Sequence, residues 1–85
     1  MYFVYVLKSR KDAKLYYGMT HDLENRVKDH NNGFVTSTKS RRPFDLIYFE
    51  KVENISSARK REKYFKSGFG RKFIKGKLKD NGLIV

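Results

Sequence analysis

The sequence contains no cysteine and no tryptophan, and a single one of its 85 residues is proline. Without cysteine the chain has no disulfide framework, no cysteine-based zinc site and no thiol nucleophile, so a reducing cytoplasm is the expected compartment. Its longest apolar run, residues 2–7, is far shorter than the ~20 residues that a membrane-spanning helix needs. No basic segment precedes that run as it would in a secretory signal peptide, so we expect neither export nor membrane insertion.

Acidic residues are also scarce, because nine Asp and Glu stand against 20 Lys and Arg and leave a formal net charge of +11. This charge predicts a polyanionic partner, and composition leaves nucleic acid and an anionic membrane surface open. The membrane surface is the weaker prediction, since the cations are not segregated opposite a broad apolar helix face. The hydrophobic content of 39% predicts folding, so residues 1–85 are expected to form one domain, monomeric by default and without an obligate protein partner.

The apolar stretches predict an α+β fold in which helices pack on a small, mainly antiparallel three-stranded sheet, in the order β-β-α-β-α-α. Residues 2–7 and 15–20 are typical of a hairpin, and a four-residue loop between them would set Tyr5 opposite Tyr16. Residues 44–50 look apolar on both faces, which predicts that the third strand is the central one.

Three helices are predicted from polar capping residues and from apolar positions at helical spacing. They span about residues 22–30, 56–67 and 71–78, the first capped by Thr20 or Asp22 and the second by Ser56 or Ser57. Phe69 is expected on the inward side, at the end of the second helix. The helices are therefore expected to bury one stripe each against the sheet.

Five polar side chains fall on these predicted inward faces: Tyr5, Tyr16, Arg26, His30 and Glu62. Phosphodiester cleavage needs a base for the nucleophile and a cation for the charge on the phosphate. Arginine clamps a phosphate with its planar fork, and a lone carboxylate suits Mg²⁺, which completes its ligands with water and substrate phosphate. Each residue also has a structural interpretation, as a strand aromatic, an amphipathic helix edge or a helix ion pair, and no single one decides.

The spacing of these residues resembles the GIY-YIG nuclease family. Residues 3–5 (Phe-Val-Tyr) and 16–18 (Tyr-Tyr-Gly) stand for the two signature tripeptides, and Arg26, His30 and the later helix residue Glu62 follow in order. The whole chain resembles a small stand-alone member, similar to the nuclease module of the bacterial excision-repair endonuclease. Many members carry an asparagine on the helix after the glutamate, and no counterpart is assigned here.

The resemblance implies a role for each of the five side chains. Tyr5 would be the general base or the group that orients the attacking water, and Tyr16 would bind the scissile phosphate or the water. Arg26 would contact the scissile phosphate, and His30 would hydrogen-bond Tyr5 and make it more basic. Glu62 would hold a single Mg²⁺ or Mn²⁺ ion. A metal-dependent DNA endonuclease whose activity rises with pH is therefore the expected function.

Further residues are expected to contact the nucleic-acid backbone. They are Gly18, whose missing side chain leaves room for an approaching backbone, and Thr38, Lys39, Arg41, Arg42, Arg59, Lys63, Arg71 and Lys72. A domain this small offers little surface for a long site, so we predict structure-directed cutting of single-stranded, flapped or branched DNA with low sequence specificity. RNA is a weaker expectation. The alternative is a non-catalytic nucleic-acid-binding module with the same fold, and repair is one of several pathways that fit.

Overall fold

The computed structural model describes residues 1–80, with side chains through residue 77. Its elements run β1 (Tyr2–Ser9), β2 (Leu15–Thr20), α1 (Leu23–Asn31), β3 (Phe44–Val52), α2 (Ile55–Phe65) and α3 (Gly68–Asp80), with a short 3-10 turn at Lys39–Arg41. The α+β class and the element order are as the sequence predicts. Within residues 1–80 no helix has the length and apolar character needed to cross a membrane.

The sheet has the strand order β2-β1-β3, and both strand pairs are antiparallel. β1 is therefore the central strand, and the expectation that the third strand is central was wrong. The four consecutive residues Val4 to Leu7 of β1 are at most 1% exposed, as a strand covered on both faces requires. In β3, Leu46 and Phe49 remain 37% and 51% exposed. The apolar sequence of β3 thus supplies one packed face and one partly open face at an edge of the sheet.

The β1–β2 hairpin pairs two residues away from the predicted register. Tyr5 lies opposite Gly18, and Tyr16 lies opposite Leu7. The loop is longer than expected because Ala13 adopts a left-handed conformation (φ 61°) and the Ser9 amide donates to the Lys14 carbonyl at 3.0 Å. A shift of two residues preserves the face of every side chain, so Tyr5 and Tyr16 still share one face of the sheet.

The sheet lies between α1 on one face and the α2–α3 pair on the other. On the α1 face Tyr5, Leu7 and Phe44 form a buried cluster. On the opposite face Val4 and Val6 pack with Ala58 and Phe65 of α2 and with Ile74 of α3, all 0% exposed. Burial of each large apolar side chain contributes about 1.5–3 kcal/mol, so this second cluster fixes both C-terminal helices on the sheet.

Two of the helices begin before the predicted positions. Asn54, rather than Ser56 or Ser57, caps α2 by accepting a hydrogen bond from the Ser57 amide at 2.9 Å. α3 begins at Gly68 instead of residue 71. This early start is made possible by Gly70, because a Cβ there would lie 2.5 Å from the Phe65 Cα.

Phe69 was expected to be inward and is 78% exposed. It lies in the first turn of α3, whose buried residues in this stretch are Gly70 and Ile74. The helix therefore presents Phe69 to solvent. Because α3 begins at Gly68, Phe69 belongs to α3 and does not continue the inward stripe of α2.

Arg61 of α2 is a structural cation. Its guanidinium donates two hydrogen bonds to the Glu50 carboxylate, at 2.8 and 2.9 Å. The same guanidinium lies 4.7 Å from the Phe65 ring centroid and 4.9 Å from that of Phe73. Glu50 also accepts from the Tyr48 hydroxyl at 2.6 Å. Arg61 thus joins α2 to β3.

Candidate active site

Tyr5 occupies the centre of the candidate site because the strand opposite carries a glycine. The Tyr5 side chain is 1% exposed, and its ring crosses β2 at Gly18. A Cβ at Gly18 would overlap the Tyr5 hydroxyl and lie 2.5 Å from Tyr5 Cζ. Gly18 is itself buried, so it makes room for the tyrosine rather than for an approaching nucleic-acid backbone.

His30 meets Tyr5 from the C-terminal end of α1. The Tyr5 hydroxyl lies 2.9 Å from His30 Nε2, and the histidine is 0% exposed. Three aromatic rings surround the imidazole, with centroid distances of 4.9 Å to Tyr16, 5.8 Å to Tyr5 and 6.0 Å to Phe44. The inward position of His30 follows from its place four residues after Arg26 on one helix face.

Burial sets the protonation of this pair. Removal from water lowers the pKa of His30 to about 4, and the nearby Arg26 charge lowers it further, against a small opposite effect of Asp29. Removal from water likewise raises the pKa of Tyr5 to about 12, opposed mainly by the Arg26 guanidinium. At neutral pH both side chains are therefore uncharged, so His30 carries a proton on one ring nitrogen and a lone pair on the other.

Arg26 and Tyr16 complete the group on the α1 face. Arg26 is half-buried on α1, and its guanidinium acts on both the Tyr5 hydroxyl and His30. The Tyr16 ring lies 6.4 Å from the Tyr5 ring, diagonal to it across the hairpin. The structure therefore gathers four of the five predicted residues on this face: the rings of Tyr5, Tyr16 and His30 lie together, and the Arg26 charge acts on two of them.

Glu62 approaches from α2, on the other side of the sheet. Its charge still acts on the Tyr5 hydroxyl, for which it raises the pKa. Its carboxylate Oε1 lies 3.0 Å from Lys66 Nζ one turn later, and the Glu62 side chain is 23% exposed. Glu62 and Lys66 line a shallow surface hollow that includes Met19 of β2 and the cations Arg59 and Lys63. The fifth predicted residue is thus coupled to the cluster through charge rather than through contact.

The donor set around Glu62 fits one kind of metal site. Among the described residues no three His, Asp or Glu side chains gather to form a protein-only site. A half-exposed single carboxylate instead suits Mg²⁺ or Mn²⁺ that takes its other ligands from water and a substrate phosphate. Lys66 now neutralises that carboxylate, so an ion would have to compete with the ammonium group.

The loop between α1 and β3 differs from its expected role at two positions. Thr38 is 0% exposed, and its hydroxyl lies 2.8 Å from His30 Nδ1. Arg41 pairs with Asp12 at 3.0 Å and lies over the Phe44 ring. These two side chains face inward because the loop folds back on the protein, so neither is offered to a phosphate as the sequence suggested. Lys39 and Arg42 remain at the surface.

The cations predicted on the C-terminal helices are exposed: Arg59, Lys63, Arg71 and Lys72. Arg71 also lines a cleft between the hairpin loop and α3, together with Lys14, Lys75 and the Tyr17 ring. Lys14 was missed as a binding candidate, because the cleft joins it to residues that are about 60 positions away in the sequence. Thr38 was missed as a partner of His30, since no helical or strand spacing relates the two positions.

Comparison with known proteins gives matches over most of the chain. The family model described as the GIY-YIG catalytic domain matches residues 1–76. The chain is 49% identical to the UPF0213 protein CPE1444 of Clostridium perfringens over 67 residues, which is 78% of this chain and 71% of that protein. It is 42% identical to the UPF0213 protein lwe0147 of Listeria welshimeri over 84 residues, covering 98% and 86% of the two chains.

A solved structure also resembles the fold. The solution NMR structure of the UPF0213 protein BH0048 from Bacillus halodurans superimposes with a TM-score of 0.53 and 28% sequence identity, and the match covers 87% of this chain and 82% of that one. The names of these relatives describe no activity.

Proposed function

Since the chain belongs to the GIY-YIG catalytic domain family, we propose that it is a metal-dependent endonuclease that hydrolyses phosphodiester bonds in DNA. The observation that carries this proposal is the buried hydrogen bond between the Tyr5 hydroxyl and His30 Nε2, at 2.9 Å. A buried tyrosine that is bonded to an uncharged histidine and influenced by an arginine charge is an arrangement that can take a proton from water.

The proposed role of Tyr5 is to relay a proton from the attacking water. The water oxygen forms the new bond to phosphorus while its proton passes to the Tyr5 oxygen, and the Tyr5 proton passes to His30 Nε2. The bond from phosphorus to the leaving oxygen breaks, and that oxygen takes a proton from solvent. In the free protein the proton stays on Tyr5, because the pKa of Tyr5 is about 12 and that of His30 is about 4.

Arg26 would stabilise the charge that develops during this relay. Its positive charge lowers the pKa of the Tyr5 hydroxyl against the effect of burial and so favours the phenolate form. A guanidinium has five N–H donors, which suit the phosphate of the substrate. Tyr16 lies beside His30 on the same face and would contribute a hydroxyl to the phosphate or to the water.

Glu62 is the residue that would hold the divalent ion. Bound Mg²⁺ or Mn²⁺ would neutralise negative charge on the phosphate and on the leaving oxygen. Glu62 lies in the hollow beside β2 with Arg59, Lys63 and Lys66, so its carboxylate is the acidic group among cations. Without a metal such a carboxylate weakens the attraction for phosphate, which favours a catalytic role for Glu62 over a purely binding one.

The proposed DNA path follows the β2 edge of the sheet. The Glu62 hollow includes Met19 of β2, and the Arg71 cleft includes Leu15 and Tyr17 of the same strand. Exposed cations therefore border β2 on the side of α2 and α3. Phosphate contacts of this kind carry no sequence information, which supports low sequence specificity. The small surface of the domain favours structure-directed cutting of single-stranded, flapped or branched DNA over recognition of a long duplex site.

The experiment is an end-labelled cleavage assay on single-stranded, duplex, flapped and branched DNA with Mg²⁺, Mn²⁺ or EDTA. We expect cutting only with a divalent ion, and we expect its loss in Glu62→Ala. The matched control is Glu53→Ala, which removes an exposed carboxylate just before α2. If neither the wild type nor Glu62→Ala cuts any substrate while both still bind DNA, the endonuclease proposal fails and a nucleic-acid-binding module remains.

A further inference from the structure

The ring nitrogen of His30 that does not meet Tyr5 has its own buried partner. His30 Nδ1 lies 2.8 Å from the Thr38 hydroxyl oxygen, and both residues are 0% exposed. The Thr38 hydroxyl in turn lies 3.4 Å from the Val35 carbonyl oxygen. A neutral imidazole carries a proton on one of its two ring nitrogens. The direction of the hydrogen bonds that join Tyr5, His30, Thr38 and Val35 therefore depends on which nitrogen holds that proton.

The Thr38 end of this series of hydrogen bonds fixes that direction. The Val35 carbonyl can only accept, so the Thr38 proton points to it and the Thr38 oxygen is free to accept from His30. His30 Nδ1 then carries the ring proton, which leaves the Nε2 lone pair to accept from the Tyr5 hydroxyl.

We propose that Thr38 is a positioning residue, which holds His30 in the tautomer with the proton on Nδ1 and so keeps the Nε2 lone pair aimed at the Tyr5 hydroxyl. Thr38 touches no reacting atom in this scheme. Its contribution to DNA cleavage rests on the proposed function, whereas its control of the tautomer does not. When His30 takes the Tyr5 proton, the Nδ1–H bond to Thr38 is already in place.

The backbone around Thr38 is built to hold the hydroxyl still. The Thr38 amide donates to the Val35 carbonyl at 3.1 Å, and the Arg41 amide donates to the Thr38 carbonyl at 2.9 Å. The Ser9 hydroxyl, from the end of β1, donates to the Arg41 carbonyl at 2.6 Å. The turn that carries Thr38 is therefore tied to the same central strand that carries Tyr5.

The start of β3 adds a second anchor to this loop. The Asn31 side chain accepts from the Phe44 amide at 2.6 Å and donates to the Phe44 carbonyl at 3.1 Å. Asn31 follows His30 directly, so the end of α1 and the end of the loop are held together.

The test is the tautomer of His30, measured by long-range proton–nitrogen NMR correlations on ¹⁵N-labelled protein at neutral pH. We expect the wild type to show a protonated Nδ1 and an unprotonated Nε2. Thr38→Val removes the acceptor while keeping the shape, so Nε2-protonated His30 should become populated. Thr38→Ser should restore the wild-type pattern, and Thr36→Val, at an exposed threonine of the same loop, should leave it unchanged.

Cleavage gives the second measurement. In metal sites, loss of a group that orients a ligating histidine lowers activity by roughly 10- to 100-fold, and we take the same range for the orientation of His30. We expect such a fall in kcat for Thr38→Val with KM for DNA little changed, and recovery in Thr38→Ser. A wild-type spectrum with Nε2 protonated overturns the proposal, and so does an unaltered tautomer in folded Thr38→Val. If Thr38→Val does not fold, the wild-type spectrum and Thr38→Ser still decide.

The two proposals fail in different ways. Absence of cleavage in the wild type, together with the expected tautomer and its change in Thr38→Val, would reject the endonuclease and leave the tautomer control standing. Normal cleavage in Thr38→Val together with the wild-type tautomer would keep the endonuclease and reject the role of Thr38.

Discussion

The Tyr5 ring lies directly over Gly18 of the neighbouring strand, so close that a Cβ at Gly18 would overlap the Tyr5 hydroxyl. Because Tyr5 is 1% exposed, its ring has no open space into which to move. We therefore expect Gly18→Ala to lower the free energy of unfolding by about 1–3 kcal/mol, the usual cost of overpacking. Urea unfolding measures this change, and DNA cleavage should fall with it because Tyr5 is displaced from His30.

Gly76 provides the matched control for this substitution. It lies inside α3, and a Cβ there would meet nothing within 4 Å. Gly76→Ala should raise the free energy of unfolding by roughly 0.5–1 kcal/mol, since glycine is a poor helix residue. Equal stability of the two alanine variants would contradict the close Tyr5–Gly18 packing.

Tyr5→Phe tests the hydroxyl without disturbing the ring. The substitution keeps the packing on Gly18 but removes the group that bonds His30 Nε2. We expect cleavage to be abolished in the end-labelled assay, with a loss of roughly 1 kcal/mol in stability for the broken hydrogen bond. Tyr64→Phe, at a residue that is 37% exposed on α2, should cleave like the wild type. Full activity in Tyr5→Phe would exclude the proton relay.

Lys66 is expected to compete with the metal ion. Its Nζ lies 3.0 Å from Glu62 Oε1, in the position that a cation bound to that carboxylate would use. Lys66→Gln should lower the Mg²⁺ concentration that gives half-maximal cleavage, measured by metal titration of the initial rate. The control is Lys28→Gln, which breaks the corresponding pair with Glu24 on α1. If Lys66→Gln needs a higher Mg²⁺ concentration than the wild type, Lys66 supports metal binding instead of competing with it.

The sequence is a good guide to the side chains that share the α1 face, and a poorer guide to the register of the strands. Strand side chains alternate with a period of two, so a register error of two residues still leaves Tyr5 and Tyr16 together. The error arose because Ala13 adopts a left-handed conformation that favours glycine or asparagine, and no such residue marks the turn. Helical spacing was sufficient to place Arg26 and His30 on one face.

Other features depend on contacts that have no local signal. Thr38 reaches His30 because its loop is tied to β1 and to Asn31, and the sequence between them has no period to reveal it. The edge position of β3 was equally hidden, because Leu46 and Phe49 give the strand a continuous apolar pattern while remaining exposed. Strand order is a tertiary property, and a short apolar run predicts a strand without its neighbours.

The free energy of unfolding at acidic pH should depend on the buried His30. Its pKa of about 4 lies below the ordinary value of 6.5, so between these values the unfolded chain binds a proton that the folded chain does not. The free energy of unfolding should therefore fall as the pH decreases from 6.5 to 4, by up to about 3 kcal/mol for this group. Urea unfolding across this range should show the slope in the wild type and in His21→Gln, whose histidine is exposed. His30→Gln should lose it, and a retained slope would assign the acid sensitivity to other groups.

The Arg71 cleft should contribute to DNA affinity through phosphate contact alone. Lys14, Arg71 and Lys75 line it, and among the described residues none of the three forms an ion pair with an acidic side chain. Arg71→Gln should weaken DNA binding and reduce the slope of log affinity against log salt concentration by roughly 0.7–0.9 for one lost phosphate contact. Lys51→Gln is the control, because Lys51 lies on β3 at the opposite edge of the sheet from β2. If the salt slope is reduced in Lys51→Gln and unchanged in Arg71→Gln, the DNA path runs along the β3 edge instead. Fluorescence anisotropy with a labelled single strand in EDTA measures both slopes without cleavage.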